Sequence, residues 1–93
     1  MKVLTIEVKL YAPWIQSLKE KRMVIKSLVA KIINKFHVSV AEIDAQEVHK
    51  TIIIGIAMIV DSQKKADRME ECFVNFIEDS TEAQILEIVS EIR

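Results

Sequence analysis

From Ile52 to Val60, nine consecutive residues carry neither a charge nor a hydrogen-bonding side chain. Few features constrain a short chain more. The run falls far short of the roughly 20 residues a membrane-spanning helix needs. It is rich in isoleucine, which favours a pleated strand. Alternation places Ile52, Ile54, Ile56, Met58 and Val60 on one face, and Ile53, Ala57 and Ile59 on the other. A strand over 51–60 that is apolar on both faces belongs in the middle of a sheet.

The flanking sequence supplies the other elements. Lys2 to Ala12 alternates, with Leu4, Ile6, Val8 and Leu10 opposite Thr5, Glu7 and Lys9, as in a half-buried strand that Pro13 ends. Ser17 and Glu20 have capping-box spacing. Leu18, Ile25, Leu28, Val29, Ile32 and Phe36 then recur at helical spacing, so a helix ends near Phe36. Val38 to Ala45 reads as a second strand, and Gln46 to Lys50 as a hairpin loop. Asp61 and Ser62 suit the cap of a second helix with a core face of Met69, Cys72, Phe73, Phe76 and Ile77. After a turn over 79–82, Gln84 to Ile92 alternates again, with Leu86, Ile88 and Ile92 on one face. The order β-α-β-β-α-β predicts an α+β, ferredoxin-like sandwich. Its four-stranded antiparallel sheet has order 4-1-3-2, with both helices on one face.

Ninety-three residues suit a single domain over 1–93. One Gly and one Pro leave no low-complexity tract. Charges interrupt the N-terminal stretch too early for a signal-peptide core, and the single cysteine excludes an internal disulfide framework. A cytoplasmic protein with no membrane association is the expectation. The single Gly also excludes a Walker loop, a dinucleotide fingerprint and a GXXG loop.

The net charge of −1 hides an asymmetry. Residues 1–50 carry nine Lys and Arg against five Asp and Glu, whereas residues 51–93 carry four against nine. The predicted topology gathers the start of the first helix and the hairpin at one end of the sheet. Trp14, Lys19, Lys21, Arg22, Lys26, His49 and Lys50 form the predicted nucleic-acid-binding set there. Lys19, Arg22 and Lys26 share one outer stripe of the helix. Helix N–H groups and the dipole also favour an anion at this point. The competing reading is a solvated basic helix face, with Trp14 tucked against the domain edge.

Sharper chemistry is not encoded. Strand 3 lacks the aromatics on which a standard RNA-recognition motif stacks bases. His37 and His49 fall at opposite ends of the sheet, so no metal site or cofactor is expected. Glu42 and Asp44 alternate onto one strand face and, with His49, form an acid–base alternative that ranks last. Cys72 reads as core.

The segment Ser17, Leu18, Lys19, Glu20, Lys21, Arg22, followed by Val38 to Asp44 and an apolar strand, resembles the YlxP-like family of small bacterial proteins. That family is a domain of unknown function. The resemblance implies a ferredoxin-like fold, no known enzymatic activity, and a gene neighbourhood of translation-initiation and ribosome-maturation factors. Family members often have His after the second-strand Asp and an aromatic in the hairpin. This chain has Ala45 and His49 there.

The favoured expectation is a non-enzymatic binding protein, associated with RNA or the ribosome through the start of helix 1. The alternative is a homo-oligomer, a dimer whose functional surface is the apolar sheet face, with a small ligand at the subunit boundary. The interface row expected there is Ile52, Ile54, Ile56 and Met58.

Overall fold

In a computed structural model describing residues 1–93, six elements follow in the expected order. They are β1 (Lys2–Tyr11), α1 (Leu18–Phe36), β2 (Ser39–Asp44), β3 (Thr51–Val60), α2 (Gln63–Ser80) and β4 (Gln84–Ile92). The strands make one antiparallel sheet of order β2-β3-β1-β4. The doubly apolar strand is therefore central, beside alternating β1.

Local chemistry sets the helix ends. Ser17 Oγ accepts the Glu20 N–H at 3.1 Å, and Ser62 Oγ accepts the Lys65 N–H at the same distance. Each hydroxyl satisfies an orphan donor of its first turn. Glu20 reaches back to the Gln16 N–H at 3.0 Å, one residue before the cap. At the far end of α1, His37 turns left-handed with φ 54° and donates its N–H to Ile33 O at 2.8 Å.

Both helices cover one face of the sheet. Leu4, Ile6, Val8 and Leu10 of β1 and Ile52, Ile54, Ile56 and Val60 of β3 pack there against Leu28, Ile32, Ala66, Phe73 and Ile77. Phe36 joins the helices to each other, edge-on to Phe73 at 4.5 Å and to Phe76 at 5.3 Å. Burying Phe73 completely is worth about 2 kcal/mol in transfer free energy.

Three expectations need correction. The row Ile52, Ile54, Ile56 and Met58 is not on the open face: the three isoleucines are in the core beneath the helices, and Met58 packs against that core. The row facing out is Ile53, Gly55, Ala57 and Ile59. The sequence could not choose, because both rows are apolar. Cys72 is exposed, since the buried stripe of α2 runs through Ala66, Phe73 and Ile77. In β4 the core positions are Ile85, Ile88 and Ile92, and Leu86 is exposed. A register shift opposite Lys9 and Leu10 inserts one residue and breaks the period of two.

Candidate functional site

The β1–α1 loop, the β2–β3 hairpin and the α2–β4 turn converge at one end of the sheet, where Tyr11 lies between Thr51 and Gln84. Backbone and lysine contacts tie the first two together. The Ala12 N–H donates to Lys50 O at 2.8 Å. Lys50 Nζ donates to Pro13 O at 2.7 Å and Ile15 O at 2.9 Å, so this ammonium braces the loop.

Lys21 does more. It is only 1 % exposed, and its Nζ lies 2.9 Å from Glu42 Oε2 while donating to Ala45 O at 2.6 Å. Glu42 Oε2 is itself buried and makes no aligned hydrogen bond, so the contact acts as an ion pair. The carbonyl that Lys21 captures belongs to a left-handed residue, Ala45, with φ 57°. Asp44 Oδ1 accepts the Ala45 N–H at 2.7 Å. Helix α1 thereby clamps the hairpin at its first bend.

These contacts divide the predicted cluster. Lys21 and Lys50 are spent inside the fold. Lys19, Arg22 and Lys26 are exposed, and no carboxylate pairs with any of them. Spacing of three and four residues keeps them on one outer stripe of α1. His49 is exposed in the hairpin at the same end.

Trp14 goes elsewhere. It is 41 % exposed and lines a groove of about 400 Å³ between α1 and the end of α2, with Glu20, Met23, Ser27, Thr81 and Glu82. None of the three free cations lines that groove. Trp14 and the cation row therefore occupy different flanks of α1, and the flank of Trp14 is rimmed by carboxylates. Met23, 66 % exposed, was the overlooked member. Its place off the apolar stripe of α1 was the available signal.

The acid–base alternative is not assembled. A register shift between Glu42 and Asp44 sends Glu42 under α1 to Lys21, whereas Asp44 lies opposite Ile53 of the open face. The two carboxylates do not share a strand face. No group of three or more His, Cys, Asp or Glu is close enough to hold a metal ion, and no helix is long and apolar enough to cross a membrane.

Residues 3–90 match a protein family described as a protein of unknown function, DUF503. The chain is similar to the uncharacterised protein YlxP of Bacillus subtilis (strain 168). They are 34 % identical over 68 residues, covering 73 % of this chain and 74 % of that protein.

Proposed function

The chain belongs to the DUF503 family, and we propose that it is a non-enzymatic binding protein that engages RNA, free or in the ribosome, through the outer stripe of α1. One observation carries this reading. At the loop end, the cations with a structural task are buried or braced, whereas Lys19, Arg22 and Lys26 are left in solvent with no counter-charge.

Their placement has an electrostatic cost without a ligand. Lys19 and Arg22 occupy the first turns of α1, where the helix dipole is already positive. A phosphate relieves both repulsions and takes hydrogen bonds from the ammonium and guanidinium groups. Trp14 contributes less than its sequence position implies, because it lies on the acid-rimmed flank. Binding on this reading is phosphate-led, and base stacking on Trp14 is not part of it. The proposed setting is the cytoplasm, where RNA is the abundant polyanion.

Fluorescence anisotropy with a labelled single-stranded RNA tests the reading. Reversing Lys19, Arg22 and Lys26 to Glu abolishes binding, whereas reversing Lys64 and Lys65, at the start of α2 and the opposite end of the sheet, leaves it intact. Equal loss in both variants reduces the attraction to general electrostatics. Binding unchanged in both removes α1 as the site.

A further inference from the structure

The sheet face away from the helices is uncovered, and its charges and shape are specific. Glu7 and Lys9 are its only charged residues on the central strands β1 and β3, two positions apart on β1 and both exposed, and the flanking β4 adds Glu87 opposite Lys9 and Glu91 opposite Thr5. Beside them on β3 lie Ile53, Gly55, Ala57 and Ile59, the last 65 % exposed. Ile43, from the edge strand, leans inward over Gly55. A Cβ built on that glycine would meet Ile43 Cγ2 at 2.9 Å. The glycine thus lets an edge side chain extend the apolar floor.

We propose that this face is the docking surface for a second copy of the chain, arranged about a two-fold axis that crosses the strands at the level of Val8 and Ile54. Two sheets packed face to face keep their strand directions within about 30° of each other. An axis lying between the sheets and across the strands inverts β1 over its own copy. Position 7 then faces position 9 of the second copy, and position 9 faces position 7. Glu7 meets Lys9 twice in one interface, with opposite signs both times.

The same operation suits the neighbouring strand. Ile53 comes to lie over the level of Gly55 in the second copy, which Ile43 floors. Tyr11 and Thr51 come over the level of Thr5 and Ala57, so larger groups meet smaller ones. The match is between the face and its own inverse, which is the self-complementarity a two-fold interface requires.

The area is adequate. The four strands, about 4.8 Å apart and six to ten residues long, make a face of roughly 20 by 30 Å. Side-chain relief raises its accessible area above that footprint. A specific interface withdraws roughly 800 Å² per partner. The helices point away from such an interface, so this inference does not depend on what α1 binds.

The register makes the test decisive. Sedimentation equilibrium of the full chain at micromolar concentration gives the mass of two chains. Glu7→Lys opposes lysine to lysine, and Lys9→Glu opposes glutamate to glutamate. Each variant alone sediments as a monomer, with the dimer dissociation constant raised roughly tenfold or more. Mixed one to one, the two variants form a heterodimer, because every opposed pair again has opposite signs. Lys26→Glu on α1 remains a dimer. Circular dichroism melting shows that each variant stays folded. This matters for Lys9→Glu, whose own β4 neighbour is Glu87. A monomeric wild type overturns the proposal. So do single variants that remain dimeric, or monomeric variants that fail to recover each other on mixing.

Discussion

Lys21 shows how one residue can carry two readings. Its charge places it with the cations at the start of α1, but it lies seven residues before Leu28, two helical turns along the same buried stripe. The structure follows the spacing. The ammonium is buried because Glu42 and the Ala45 carbonyl meet it. Replacing Lys21 with Met strands the Glu42 carboxylate and frees the Ala45 carbonyl, and we expect a loss of about 3 kcal/mol in urea unfolding. Replacing Glu42 with Leu in the same chain recovers most of that loss, since an apolar pair of similar volume suits a site this dry. If the double variant is no more stable than the single one, the hydrogen bond to Ala45 matters more than the ion pair. The partner Glu42 lies 21 residues away on another element, so the pair was not legible in the sequence, and the charge of Lys21 placed it in the predicted binding set although its spacing from Leu28 pointed inward.

At the scale of elements, what depended on periodicity and capping was readable, and what depended on cross-strand register was not. The helix starts follow from Ser17 and Ser62, and the central place of β3 from its two apolar faces. The end of α1 is subtler. His37 takes a left-handed conformation that glycine adopts without a steric cost. His37→Gly is therefore expected to raise thermal stability, by about 0.5–1 kcal/mol, after the entropy glycine adds to the unfolded chain is offset. An unchanged or lower melting temperature would mean that the imidazole has a stabilising role of its own. The two register shifts, between Glu42 and Asp44 and opposite Lys9 and Leu10, hid the real faces of β2 and β4. A bulge depends on which residues oppose it, so a single strand's pattern cannot announce it. Cys72 is a related case: on α2 it borders the apolar stripe, and the packing of Phe73 and Ile77 rotates it into solvent. Its thiol should react completely with a disulfide reagent in the folded protein, and Cys72→Ser should change stability by less than about 0.5 kcal/mol. Protection until unfolding would show the thiol to be covered.

For the whole molecule, the uneven division of charge along the chain becomes a division in space only in part. The basic half supplies α1, but Lys21 is buried, Lys50 is half-buried and bound to two loop carbonyls, and Lys31 donates to Ser80 O at 3.3 Å. The cationic surface at the loop end is therefore smaller than the composition implies, and its size is measurable. Each phosphate neutralised on a single strand contributes a slope of about −0.7 to log K against log salt. Three cations, Lys19, Arg22 and Lys26, acting together give a slope of about −2 for RNA binding. Changing any one of them to Gln should make the slope shallower by about 0.7 and weaken binding to every RNA sequence alike, because phosphate contacts position without specifying. Trp14→Ala should leave both the slope and the affinity nearly unchanged, since its groove faces carboxylates. A wild-type slope much steeper than −2 would mean that cations beyond α1 take part, as they would if two copies of the chain gripped one strand. A large loss on Trp14→Ala would bring base stacking back into the site and require the Trp14 flank to reorganise on binding.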